Sequence, residues 1–151
     1  MVTLVVGGIA VGCAKEVEVE VGYQPHLAMH DFMSWVLDPL ADVIWRSAGT
    51  ITTVDGVEDL APTTQEGWDS VRNAAATIAE IGNVLQIPGY SQGDDWNEYA
   101  QGLTRIGMRL IEAAEQKDDQ KVFDYGGQLY NVCVACHQLY MLTGDEEDHE
   151  D

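Results

Sequence analysis

The sequence predicts an all-α fold, an antiparallel four-helix bundle. Three observations predict it. Four segments carry apolar residues at the spacing of one helical face. The second and third connections between them are short, which sets neighbouring helices antiparallel. No convincing pair of strand patterns and no internal repeat accompanies them. At 151 residues, 46% of them hydrophobic, the chain can bury a single core.

The first helix is expected over Leu27 to Arg46, with its stripe at Met29, Met33, Val36, Leu40 and Ile44. Pro39 lies inside it, removes a backbone donor and should kink the helix or start a new turn near Asp38. Residues 47–62, with Gly, Thr and Pro62, read as a loop. Thr63-Thr64-Gln65-Glu66 has the form of a capping box, a Thr cap with Glu three residues on. The helix it opens runs to about Gln86, buries Val71, Ala75, Ile78 and Leu85, and stops at Ile87-Pro88-Gly89.

Asp94 and Asp95 suit the positive end of a third helix. Its stripe is Trp96, Tyr99, Leu103, Ile106, Leu110 and Ala113, with Arg105 and Arg109 between stripe positions. Lys117-Asp118-Asp119 forms a short turn. A fourth helix follows from about Asp119 to Leu142, with Val122, Gly126, Leu129, Cys133, Cys136, His137 and Tyr140 on one face. Gly126-Gly127 weakens that helix, which close approach of a neighbour would explain. Trp35, Trp45, Trp68 and Trp96 read as core residues or as packing for a bound group.

Charge narrows the function. Lys and Arg number 7 against 26 Asp and Glu, a formal net charge of -19. Phosphate binding needs clustered cations, so nucleic acid is excluded as a partner, and so is polybasic attachment to anionic lipid. A basic protein partner or a salty environment fits. Residues 143–151 read as a disordered acidic tail, and six of the acids follow Gly144.

Residues 1–12 contain no charge and are too short to span a membrane, but they suit the apolar region of an export signal. Ala10-Val11-Gly12-Cys13 resembles a bacterial lipobox, in which cleavage leaves the Cys as a lipid-modified N-terminus. Ala10 stands where that pattern prefers Leu, and no basic residue precedes the apolar stretch. An ordinary cleaved signal with Cys13 incidental is the alternative. Glu16, Glu18 and Glu20 alternate with valines, but residues 13–26 read as a solvated tether. The packed domain is expected over 27–142.

Cys133-Val134-Ala135-Cys136-His137 is CxxCH, the attachment signature of a c-type haem. On a helix the two thiols share a face and can add to the two vinyl groups of one porphyrin. The adjacent His then serves as an axial iron ligand. A zinc site wants four N or S ligands, and only Cys13 and the scattered His26, His30 and His149 remain. A thioredoxin-type CxxC expects a βαβ context, which is absent. Helical geometry disfavours a disulfide at this spacing. Two incidental core cysteines are the plain alternative. Export agrees with the haem reading, because bacterial c-type attachment happens outside the cytoplasm.

A four-helix bundle with CxxCH in its last helix resembles the cytochrome c-prime family and its low-spin relatives, over roughly residues 27–142. The family often continues CxxCHxx(F/Y)(R/K). Here Tyr140 matches and Met141 replaces the basic residue. The resemblance implies one covalent haem c on Cys133 and Cys136, with His137 as proximal ligand. It also implies that the first helix faces the other side of the haem. A Met there makes a low-spin electron carrier; an apolar residue there leaves a five-coordinate iron that binds small gases.

The stretch from Phe32 to Asp42 resembles a bacterial subgroup with a Met five residues before Asp-Pro-x-Ala-Asp, which assigns the distal ligand to Met33. Met29, one turn earlier on the same face, is the runner-up. His30 is rotated off that face. Plain core packing is the alternative for either Met. The expectation is therefore a non-enzymatic, periplasmic, lipid-anchored monohaem cytochrome of a Gram-negative bacterium that passes single electrons to redox partner proteins. Family members often dimerise through the first two helices, so a homodimer belongs to the same expectation. Its rivals are a five-coordinate NO- or CO-binding haem protein and a non-haem helical lipoprotein that serves as an interaction module.

Overall fold

The computed structural model describes residues 22–141. The expected export segment 1–12, Cys13, the tether through residue 21, Leu142 and the tail 143–151 lie outside the described residues. The first helical stretch comprises α1 (Met29–Phe32), a π turn (Met33–Leu37) and α2 (Asp38–Trp45). A hairpin of β1 (Thr50–Thr53) and β2 (Gly56–Asp59) follows, then α3 (Gln65–Val84), α4 (Asp94–Gln116) and α5 (Asp119–Tyr140).

Pro39 acts on the first stretch as its chemistry requires. Its ring opposes the carbonyl of Trp35 four residues back, and it has no N–H to offer that carbonyl. The turn before it widens, and the Asp38 N–H bonds to the Met33 carbonyl five residues back. The expected break near Asp38 is thus a π turn followed by a fresh helix with Pro39 in its first turn.

Helices α3 and α4 make the closest pair. A Cβ on Gly107 would sit 2.8 Å from both the backbone nitrogen and the Cβ of Ala79. One on Gly82 would overlap the Thr104 hydroxyl and crowd the Ala100 carbonyl. The Thr104 hydroxyl donates to the Ala79 carbonyl at 2.9 Å. Numbers fall along α3 as they rise along α4, so the pair is antiparallel. The same holds for α4 against α5, where Trp96 meets Tyr140 and Arg109 meets Gln128. Helix α2 packs on both α3 and α5 and closes the ring of four. Its Trp45 indole donates to the Gly126 carbonyl at 3.0 Å. A Cβ on Gly126 would meet Ile44 and Trp45 at 3.5 Å, so Gly126 lies under the neighbouring helix. Ile44, Val71, Ile78, Leu110, Val122 and Leu129 are the largest fully buried side chains.

Three local expectations need correction. First, the loop 47–62 contains a strand pair, with Thr50 opposite Asp59 and Thr53 opposite Gly56. Both strands are exposed throughout, so no apolar alternation marked them. A two-residue turn at Val54-Asp55 joins them, closed by the Thr53 hydroxyl accepting from the Asp55 N–H. Second, the cap of α3 is Thr64, whose hydroxyl accepts from the Gly67 N–H at 3.1 Å. Glu66 is then one position too early to close a capping box and only complements the helix dipole. Third, Trp35 is 65% exposed rather than packed, while Trp68 and Trp96 are buried. Pro25 also lies against Gly89.

The turn into α5 has Lys117 in the left-handed region and Asp118 as N-cap, accepting from the Lys121 N–H at 3.0 Å. That backbone hydrogen bond holds the Asp118 carboxyl below its ordinary value of 3.8, and the Lys121 ammonium adds to it against some desolvation. The cap therefore stabilises the fold fully above about pH 4, and the contribution is lost as pH falls through the lower folded value. Asp118→Asn should keep the cap at neutral pH and flatten the acid limb of a stability-against-pH curve. Gly107→Ala should cost about 1–3 kcal/mol in denaturant unfolding through overpacking. Gly127→Ala, with nothing within 4 Å of the new methyl, should instead stabilise by about 0.5–1 kcal/mol.

Candidate functional site

A groove of about 690 Å³ lies between the first helical stretch and α5. One wall carries Tyr130, Cys133, Val134, Cys136, His137 and Met141. The other carries Met29, Met33, Leu37, Ala41 and Trp45, with His30, Ser34 and Asp38 beside them. Trp96 of α4 closes the back, where a smaller cavity of about 30 Å³ runs in among Leu85, Tyr99, Ala100, Leu103 and Val132.

The first wall follows from helical spacing on α5. Cys133, Cys136 and His137 continue the face on which Val122, Gly126 and Leu129 are buried. Towards its C-terminal end this face turns from core to groove, and the cysteines are half-buried while His137 is exposed. Val132 packs over Gly102 and Tyr140 stacks edge-on against Trp96 at 4.9 Å, which fixes this end of α5 on α4. The Trp96 indole is held in turn by the Leu85 carbonyl at 2.7 Å.

Met29 and Met33 are half-buried and belong to the wall across from Cys133, Cys136 and His137. All five sequence-selected residues of the described chain therefore line one groove. His30 lines its rim but is exposed, and His26 is exposed outside it. Cys13 and His149 lie outside the described residues. The sequence reading used Asp38 and Ala41 only in the Asp-Pro-x-Ala-Asp match and set Met141 aside, yet all three line the groove. A four-residue walk from Met33 reaches Leu37 and Ala41, and one turn beyond His137 is Met141.

Cys133 and Cys136 are free thiols. Burial, with the neighbouring Cys136 adding to it, pushes Cys133 up to about 11. Burial raises Cys136 as well. Both are neutral thiols at physiological pH. No hydrogen bond from a described residue occupies the His137 imidazole, so its ring nitrogens are open to a ligand.

The donor set is divided between two walls. Among the described residues no three His, Cys, Asp or Glu side chains converge as an ion site. Such an arrangement suits a flat group held between thiols, an imidazole and thioethers better than a bare ion enclosed by side chains. The groove volume lies within the range of cofactor sites, about 300–1,000 Å³, and its lining is mostly apolar. The residues present thus fit a covalently tethered haem. Among the described residues no helix is long and apolar enough to cross a membrane.

In comparisons with known proteins, no family model, no curated protein and no solved structure matches this chain.

In the haem-free chain, Cys133 should react with iodoacetamide at pH 8 more slowly than it does after unfolding in urea. The rate should climb as pH approaches 11. Equal rates at pH 8, read by mass spectrometry of the alkylated peptide, would contradict the buried neutral thiol.

Proposed function

We propose that the chain is a c-type cytochrome of the cytochrome c-prime type, a carrier of single electrons rather than an enzyme. One observation carries the reading. The CxxCH motif and the two methionines selected from sequence line opposite walls of the same groove. In this reading Cys133 and Cys136 would hold the group through two thioether bonds, and His137 from α5 and Met33 from the first stretch would ligate its iron, with Met29 as the runner-up. The bound haem supplies a one-electron ferric/ferrous couple, and a thioether ligand raises its potential. Leu37, Ala41, Trp45 and Trp96 would give the bound group an apolar surround.

The reading extends to the address and the partner. Haem attachment outside the cytoplasm agrees with export and lipidation at Cys13 in the periplasm of a Gram-negative bacterium. A redox partner with a basic face suits the charge distribution. The stretches that line and back the groove, residues 29–45, 94–104 and 130–141, contain no Lys or Arg but carry Asp31, Asp38, Asp42, Asp94, Asp95 and Glu98. The six described cations, Arg46, Arg72, Arg105, Arg109, Lys117 and Lys121, fall outside those stretches. Such a polarity steers a cationic partner towards the groove, and salt weakens the effect.

A five-coordinate gas-binding haem protein is the second reading, and the iron's sixth ligand decides between them. Expressed with haem-attachment machinery, the chain should carry one covalent haem. Its oxidised spectrum should show a thioether-to-iron charge-transfer band. Met33→Ala should abolish that band and give a high-spin spectrum, while Met29→Ala should leave it. A wild-type high-spin spectrum would favour the gas-binding reading. A chain without haem would favour a helical interaction module.

A further inference from the structure

The apolar part of the first-helix wall has a spacing that a plain α-helix does not keep on one face. Met29, Met33, Leu37, Ala41 and Trp45 recur every four residues, with the polar His30, Ser34 and Asp38 one position on from the first three. At 3.6 residues per turn, each four-residue step overshoots a full turn by about 40°. Four such steps would accumulate about 160°, leaving Met29 and Trp45 on nearly opposite sides of the helix. The π turn at Met33–Leu37 is wider and drifts in the opposite sense. One widened turn in the middle offsets part of the drift of the three α-helical steps.

The two ends of the stretch are pinned separately. Below the turn, Phe32 is buried and its ring lies 5.1 Å from that of Tyr90, whose hydroxyl donates to the Leu27 carbonyl at 3.0 Å. Above it, Ile44 is fully buried and Trp45 is bonded to Gly126. The turn sets the rotational phase between these anchors, and Met33 is its first residue.

We propose that Pro39 and the π turn it imposes are the positioning device for the axial thioether, rotating Met33 onto the groove wall across from His137. Pro39 touches no reacting atom and acts through the backbone. This inference rests on the haem reading above.

Pro39→Ala restores the missing N–H and removes the ring, so the turn can relax toward a regular α-helix without shortening the chain. The haem-loaded variant should lose at least half of the thioether-to-iron charge-transfer band, gain high-spin character and show a lowered potential. Helicity by circular dichroism and covalent haem by mass should stay unchanged. Deleting exposed Trp35 in the Pro39→Ala background removes the extra residue of the turn. It brings both sides into phase as a regular helix, and should restore the band. An unaltered band in haem-loaded Pro39→Ala would overturn this inference alone, as would failure of the deletion to restore it in a chain of wild-type helicity. A wild-type chain with no covalent haem would overturn the cytochrome reading and this inference with it.

Discussion

The closeness of α3 and α4 governs the rest of the molecule. At Gly82 and Gly107 no side chain separates the two backbones, and Ala75, Ala79 and Ala100 keep the contact shallow. This pair is a slab with little room between its members. Larger residues must then fill the space on the other side, where Ile44, Val71, Leu110 and Leu129 form the interior. Past Leu129 the first stretch and α5 still touch where the Tyr130 ring meets Trp45 edge-on at 6.1 Å. The groove opens there, backed by Trp96 from the slab. A tight seam on one side and an open one on the other let so short a chain hold both a core and a cavity.

Much of this architecture is legible in the sequence because it depends on periodicity. The stripes of α3, α4 and α5 name residues that are buried or half-buried, save His137 at the groove. Asp118, Gly93 and Thr64 bound helices close to where composition places them. Features without an apolar period were less legible. The hairpin has no buried face, and its strands are held by backbone bonds and turn chemistry at Asp55-Gly56. The choice of Thr64 over Thr63 turns on which hydroxyl reaches an N–H, which adjacent identical residues do not declare. Trp35 falls about 120° round the helix from Met29 at a 3.6-residue period, off the apolar stripe, and is exposed.

The candidate groove is legible in part for a different reason. CxxCH is a local pattern, so the α5 wall needs no knowledge of tertiary structure. The opposite wall required a register between two helices far apart in sequence. The stripe written from a 3.6-residue period names Val36, Leu40 and Ile44, whereas the groove uses Leu37, Ala41 and Trp45. Both sets begin with Met29 and Met33. They part company at the widened turn, so the methionines were found while the rest of their wall was not.

The hairpin has a consequence of its own. Gly49 lies against Phe123 near the start of α5, at the end of the bundle away from the groove. Val54 at its tip is wholly exposed. Chain opened or lengthened at that tip leaves α2 and α3 intact, since neither strand contributes a buried side chain to the core. The molecule thus has a handle at one end and the groove at the other. A tag, a surface linker or a fused domain attached at Val54 would project away from the groove mouth, leaving it free to meet whatever approaches.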